Sequence, residues 1–263
     1  MEAETSNRPM YEVPVDDGAF RERYGDLAGM GQSAVIYSRD GVVAKVYRDH
    51  QPRTDAFMEA FHLAKVGDLG IPVPKVYGVE TFQGRTVVLM DQVRGKALHE
   101  LDGGDPERMG GSIDKVVEMQ VAMHRTFVTN FVSLKADLGG KILSSPALSA
   151  DEKDRLGAML VDLPDGSVIC HGDFHGGNIL YDGATYKIID WMEVTCGSPA
   201  GDACRTYMDY SMLWKDVAEQ YLRKYCAASG LSRSDILAWL PVTAGSLYGY
   251  IAEAWRKELR PLF

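Results

Sequence analysis

His171-Gly172-Asp173-Phe174-His175-Gly176-Gly177-Asn178-Ile179-Leu180 lies between two short apolar runs, Val168 to Cys170 and Lys187 to Ile189, the second continuing into Asp190-Trp191. Apolar runs of this length bounded by glycine read as buried strands joined by a tight loop. The loop carries a carboxylate and a carboxamide in the spacing D-x-x-x-x-N, and the following strand ends in a second carboxylate.

Those three groups have complementary chemistry. A carboxylate can accept a hydroxyl proton, and an amide oxygen and a second carboxylate are hard donors suited to magnesium. Phosphoryl transfer needs this set: an oriented hydroxyl, and a metal held against the phosphates of the donor. Asp173 is therefore the expected base, and Asn178 and Asp190 are the expected metal ligands. Gly176 and Gly177 are expected to give the loop its backbone freedom. Either histidine alone reads as a packed residue.

Working outward, the region before the loop alternates strands and turns. Tyr24 to Ala28, Ala34 to Ser38 and Val42 to Tyr47 are short β-rich runs, with Arg39-Asp40-Gly41 as a hairpin turn. A helix is expected over Thr54 to Val66, with Phe57, Phe61, Leu63 and Ala64 covering one side. Strands follow at Lys75 to Glu80 and Thr86 to Met90, joined by Gln83-Gly84-Arg85. After Gly95 the pattern becomes helical, with a long helix over Ser112 to Val128, another over Asp151 to Val161, and helices rich in aromatics from Asp202 onward. The fold class is α+β, a sheet-bearing part followed by a mostly helical one, with the boundary near Asp91 to Gly95.

Composition narrows the classes. The chain has 263 residues, enough for one sizeable core or two small lobes. A net charge of −9 argues against nucleic acid as a partner and admits a cationic ligand. No apolar run is long enough to span a bilayer. Met1 to Asn7 lack the basic and apolar regions of a leader, so a cytoplasmic location without a membrane partner is expected. Cys170, Cys196, Cys204 and Cys226 have neither zinc-site nor disulfide-framework spacing and read as reduced thiols.

The loop H-G-D-F-H-G-G-N-I-L with I-I-D-W resembles the signature of the aminoglycoside phosphotransferase and choline-kinase-like superfamily, distant relatives of protein kinases. His171, Asp173, Asn178 and Asp190 stand at that family's motif positions, with Trp191 where protein kinases carry Phe. Gly197-Ser198-Pro199 with Asp202 resembles its G-D-P-x-x-D segment, with Ser198 departing from the usual Asp. The resemblance extends from about Leu27 to Tyr210. It implies a protein-kinase-like two-lobed fold. The N-terminal lobe, residues 1–93, is an antiparallel sheet plus helix that binds nucleotide. The C-terminal lobe, residues 94–263, is mostly helical, carries the chemistry and binds the acceptor.

Other positions follow from the same resemblance. Gly29, Gly31 and Ser33 lie in Gly29-Met30-Gly31-Gln32-Ser33-Ala34, a turn that can lay backbone N–H groups over phosphates. Val43-Ala44-Lys45 resembles the V-A-x-K strand whose lysine contacts phosphates, and Glu59 is the expected partner of Lys45. Met90, Gln92 and Val93 fall at the hinge, where backbone groups meet the purine. His124 resembles the family's helix-ending L-H and reads as support for the loop.

The resemblance implies ATP (or GTP) and Mg²⁺ as cofactors, and a small hydroxylated acceptor, cationic ones included. Asp202, Asp209, Asp216, Glu219, Glu253 and Glu258 are acidic candidates for its contacts, though each alone reads as a solvated helix charge. A protein kinase is the alternative within the same chemistry. Against it, Asp190 is followed within a short stretch by Gly197, Pro199 and Asp202, without a D-F-G-to-A-P-E segment. A silent nucleotide-binding module is the non-enzyme alternative, opposed by the retention of Lys45, Asp173, Asn178 and Asp190 together.

Overall fold

A computed structural model describes residues 17–31, 33–103, 105 and 108–263. Met1 to Asn7 and Gln32, both read above, lie outside them. Two compact units divide the chain at Arg94 and Gly95.

The first unit is a five-stranded antiparallel sheet. Its strands are β1 (Asp26–Met30), β2 (Ala34–Arg39), β3 (Val42–Tyr47), β4 (Val76–Phe82) and β5 (Arg85–Asp91), in the order β1-β2-β3-β5-β4. Two tight turns set the hairpins. Asp40 and Gly41 both take positive φ (52° and 85°), as do Gln83 and Gly84 (50° and 76°). Left-handed pairs of this kind match the twist of the strands they join. Helix α1 (Asp17–Tyr24) lays Phe20 and Tyr24 on Val35, Tyr37, Ala44, Val46 and Val87. This helix is absent from the sequence reading, which placed Tyr24 in a strand. Its segment Asp-Gly-Ala-Phe-Arg-Glu-Arg-Tyr has too few apolar residues to show a helical period.

Helix α2 (Arg53–Gly67) corrects a second expectation. Phe57 and Phe61 are exposed, at 44% and 55%, whereas Ala56, Glu59, Leu63 and Val66 are buried. The buried stripe has proper helical spacing, but one of its members is a glutamate. A search for apolar periodicity skips that position, because burial of the charge depends on partners from β3.

The second unit begins with β6 (Lys96–Ala97), α3 (Leu98–Leu101) and α4 (Gly110–Met123). Helix α4 ends earlier than expected, and His124 caps it with its N–H on the Gln120 carbonyl. Val128 instead donates its amide to Ser167 O at 2.8 Å, beside the bridge between Phe127 and Val168. Helix α5 (Leu134–Ser144), also unread in the sequence, holds Gly139-Gly140 internally. It forms because Leu134, Leu138 and Ile142 are buried along one face and Ser133 caps the Ala136 N–H. Helix α6 (Ala150–Asp162) starts with a reciprocal capping box between Ser149 and Glu152.

Short strands then frame the loop. β7 (Val168–Cys170) pairs antiparallel with β10 (Thr195–Gly197), and β8 (Ile179–Tyr181) lies between β6 and β9 (Tyr186–Ile188). Helices α7 (Pro199–Leu213), α8 (Lys215–Ser229), α9 (Arg233–Leu237), α10 (Leu240–Tyr248) and α11 (Glu253–Leu259) complete the chain, around fully buried Trp239, Tyr221 and Met208. The two units thus have the architecture of a two-lobed kinase-like fold, a sheet with a helix followed by a mostly helical part. Among the described residues, no helix is long and apolar enough to cross a membrane.

Replacing Ser149 by Ala removes the capping box of α6. Unfolding free energy is expected to fall by about 1 kcal/mol, read in urea as a lower midpoint at unchanged slope.

Candidate active site

The loop is held at its first residue. His171 is fully buried, and its Nε2–H donates to the Ile189 carbonyl at 3.0 Å while Nδ1 accepts the Asp173 N–H at 3.2 Å. Burial lowers its pKa, consistent with a neutral imidazole in that tautomer. Its ring packs on Trp191 with centroids 4.5 Å apart. Gly172 then turns with φ of 82°, and a Cβ here would lie 2.5 Å from the Glu193 carbonyl oxygen. The left-handed turn falls on Gly172, while at Gly177 a Cβ would lie 2.7 Å from the His175 ring. Gly176 and Gly177 form a 3-10 turn with Asn178, and neither has a positive φ.

The three expected groups gather at one end of the β8–β9 ladder. Asn178 Nδ2 donates to the Asp173 backbone oxygen at 2.9 Å and to Asp173 Oδ2 at 3.2 Å. This turns the amide oxygen Oδ1 away from Asp173. The Asn178 carbonyl accepts the Ile189 N–H at 2.9 Å, and Ile179 pairs with Ile188, so Asp190 follows immediately on the opposite strand. Asp190 is exposed and takes φ of 63°, a left-handed conformation that non-glycine residues adopt at a cost.

Asp173 is half-buried, with 29% of its side chain exposed. Arg205 Nη2 meets Oδ1 at 2.9 Å, and His175 Nε2 lies 3.6 Å from Oδ2. Burial alone pushes this carboxyl up. His175 and the charge of Arg205 outweigh it and hold the pKa well below the usual carboxylate range. Asp173 is thus ionised at neutral pH, able to accept a proton but not to donate one.

Helix α7 supplies contacts that sequence reasoning missed. Asp202, considered above as an acceptor contact, is 1% exposed and faces inward. Its Oδ1 accepts the Gly172 N–H at 2.7 Å, and Oδ2 accepts from His124 Nε2 at 2.9 Å and Gln120 Nε2 at 3.0 Å. Tyr225 and Tyr221 extend the network, to His124 Nδ1 and Gln120 Oε1, both at 2.6 Å. Two turns on, the Tyr210 hydroxyl accepts the Gly176 N–H at 3.0 Å. The G-D-P-x-x-D likeness marked Asp202, but nothing in the sequence marked Arg205 or Tyr210. Of the other acidic candidates, Asp216, Glu219, Glu253 and Glu258 are exposed.

In the first unit Lys45 Nζ meets Glu59 Oε1 at 2.7 Å, with side chains 14% and 2% exposed. The Tyr47 hydroxyl donates to the other Glu59 oxygen. Gly29 lies in β1 at a register shift against β2. The Gly31 N–H is committed to Ala34 O at 2.9 Å, while the Gly31 carbonyl accepts from Arg48 Nε at 3.2 Å. Arg48 also donates its N–H to the Ser33 carbonyl at 2.9 Å. Met90 is buried in β5, Gln92 spends its N–H on Gly41 O at 2.8 Å, and Val93 is partly exposed beyond the strand.

Two groups of side chains could be weighed for a metal. Asn178 Oδ1 and the Asp190 carboxylate are hard oxygens, and as a donor set they fit magnesium. His124, Cys170 and Asp202 also bring potential ligand atoms within 4.8 Å of one another. Burial holds the Cys170 thiol well above its usual pKa, so it stays protonated and donates to the Val168 and Ser198 carbonyls. A nitrogen, a thiol and one carboxylate do not suit magnesium. The cluster is a hydrogen-bonded clasp of the core.

The model of the phosphotransferase enzyme family matches residues 28–237. No curated protein matches the chain in sequence. Among solved structures, a thermostable variant of aminoglycoside phosphotransferase APH(4)-Ia, in a ternary complex with ADP and hygromycin B, is similar with a TM-score of 0.64 at 17% identity, over 95% of this chain and 98% of that one. APH(3'')-Id from Streptomyces rimosus, with ADP and streptomycin, is similar at 0.64 and 18%, over 88% and 98%. A choline/ethanolamine kinase family protein from Mesorhizobium loti gives 0.61 and 17%, over 89% and 84%. These likenesses are of fold.

Burial pushes the Asp202 carboxyl up, but the bond and charge of His124, the Gln120 amide and the Gly172 N–H bring it down to about 2. A folded pKa below the ordinary 3.8 contributes stability that is complete above the unfolded value and lost as pH falls through the folded one. Stability should therefore drop between about pH 4 and pH 2. Asp202→Asn should lower it at pH 7 and flatten that acid limb by on the order of 2 kcal/mol, measured by urea unfolding at stepped pH.

Proposed function

The chain belongs to the phosphotransferase enzyme family, and from that premise we propose that it moves the γ-phosphate of ATP to a hydroxyl of a small molecule of aminoglycoside, amino-alcohol or sugar-like kind. One observation carries the proposal. Asp173 Oδ2 lies 3.2 Å from the Asn178 amide, and the Asn178 carbonyl receives the N–H of the residue before Asp190. Asp173 and Asn178 are thereby in contact and the chain reaches Asp190 beside them, which supports reading the three as the donor set that hydroxyl activation and magnesium binding require.

In this proposal Asp173 orients the acceptor hydroxyl and takes its proton. As the hydroxyl oxygen forms its bond to the γ-phosphorus, the bond to the leaving diphosphate oxygen breaks and the proton passes to the Asp173 carboxylate. Asn178 and Asp190 would hold magnesium, which when bound would supply positive charge against the phosphate oxygens. Lys45, fixed by Glu59, is assigned to the phosphates of the donor. The turn with Gly29, Gly31 and Ser33 covers those phosphates, and Met90, Gln92 and Val93 flank the base. Residues 1–93 would then serve the nucleotide and 94–263 the acceptor. Relatives of like fold captured with ADP and an aminoglycoside support the substrate class. Transfer to protein is less supported, because β10 and α7 follow Asp190 directly and leave little chain for a peptide platform.

Incubation with ATP, Mg²⁺ and a panel of aminoglycosides, choline and sugars, read by mass spectrometry, tests the class. One phosphoryl group added to a panel member supports it, and phosphorylation of a protein substrate alone overturns it. Asp173→Ala is expected to cut transfer by at least about 100-fold, with nucleotide affinity by calorimetry nearly unchanged. Asp190→Ala should weaken nucleotide binding in the presence of Mg²⁺ and have little effect in its absence, since only the metal-bound nucleotide uses that carboxylate.

A further inference from the structure

Asp202, Arg205 and Asp209 follow one another at helical spacing on one face of α7. Arg205 bridges two carboxylates, Asp173 Oδ1 through Nη2 at 2.9 Å and Asp209 Oδ1 through Nη1. All three side chains are largely sheltered, at 19%, 29% and 20% exposure for Arg205, Asp173 and Asp209. Asp209 Oδ2 is buried and has no hydrogen-bond partner among the described residues.

We propose that Arg205, braced by Asp209, is a positioning residue that fixes the orientation of the Asp173 carboxylate. The proposal rests on the assignment of Asp173 as the base. Each oxygen of that carboxylate has its own restraint, Arg205 on Oδ1 and Asn178 Nδ2 on Oδ2 at 3.2 Å. Rotation about the terminal torsion would break both. With Arg205 gone, Oδ1 loses its charged donor and the group can swing about Oδ2. Asn178 and His175, both on the Oδ2 side, would then be the remaining tethers.

Asp209 has a separate task. When the acceptor's proton moves to Asp173, that carboxylate loses its charge. Asp209 keeps the guanidinium neutralised through the transfer, so a sheltered cation is never left alone. The planar fork of arginine can serve both acids at once. A lysine offers a point charge that can favour one but not hold both in fixed geometry.

The test uses the full chain and R205A, R205K and D209N, with ATP and Mg²⁺ and with water as acceptor, followed by phosphate release. For R205A we expect kcat to fall by about 10- to 100-fold, the scale of a misplaced reacting group. KM for ATP and calorimetric nucleotide affinity should stay within about twofold, because the restraint acts on the base. R205K should recover part of the loss, and D209N should fall between wild type and R205A. Crystal structures of wild type and R205A provide a second readout free of turnover, with the Asp173 carboxylate ordered in the first and rotated or split in the second. The proposal is overturned if R205A keeps kcat within about twofold, if nucleotide affinity falls along with kcat and R205K rescues neither, or if Asp173 is unmoved in the R205A crystal. Should wild type release no phosphate and phosphorylate no acceptor, the phosphotransferase reading fails by itself. The crystal pair then still decides whether Arg205 orients Asp173.

Discussion

A buried carboxylate governs the second unit. Asp202 is almost fully enclosed, and an ion taken so far from water is tolerated only when both its oxygens have donors. It meets that condition with His124 and Gln120 at the end of α4 and with the Gly172 N–H of the loop. Three separated segments therefore have to converge for the charge to be stable. The last of those donors sits one residue before Asp173. The same interaction that satisfies the core thus fixes the height at which the loop leaves β7.

The loop is bounded by two residues in the left-handed region, and they are of different kinds. At Gly172 the left-handed turn is accommodated by the absence of a side chain, since a Cβ would strike the Glu193 carbonyl. Asp190 takes the same region while bearing a carboxylate, next to a Trp191 that is fully buried and hydrogen-bonded to Ile188 O at 3.1 Å. A left-handed φ at an exposed carboxylate is uncommon outside sites of function. His171 joins the two ends, since its ring donates to the residue before Asp190 and accepts from Asp173.

How much of this was legible varied with the physics involved. Hairpin turns were legible because Asp-Gly and Gln-Gly demand positive φ locally. The nearness of Asp173 and Asn178 was legible as well, since one short loop holds both. Their roles remain proposals. Helix α1 and helix α5 were hidden because tertiary contacts, not periodicity or propensity, make them: Phe20 and Tyr24 on the sheet in one case, and Leu134, Leu138 and Ile142 around an internal Gly-Gly in the other. The buried face of α2 was misassigned because a paired glutamate occupies a core position that apolar patterning skips. Arg205 and Tyr210 were out of reach, as their partners lie about thirty positions earlier in the chain.

That last gap has a structural cause. The loop anchors itself by burying His171 and Phe174, but its glycines and polar residues have no apolar side chains to fix them. For those residues the placement comes from a rigid ruler outside the loop. Helix α7 touches the loop at Gly172, Asp173 and Gly176 through Asp202, Arg205 and Tyr210. From the first to the last of these, the helix rises about 12 Å, at 1.5 Å per residue. A helix holds such spacings far better than a loop can, so two backbone amides and one carboxylate inherit its precision. In the proposed function the motif in the loop supplies the reacting groups, while the helix behind it decides where they point. Loop sequence alone therefore constrains the chemistry more tightly than the geometry.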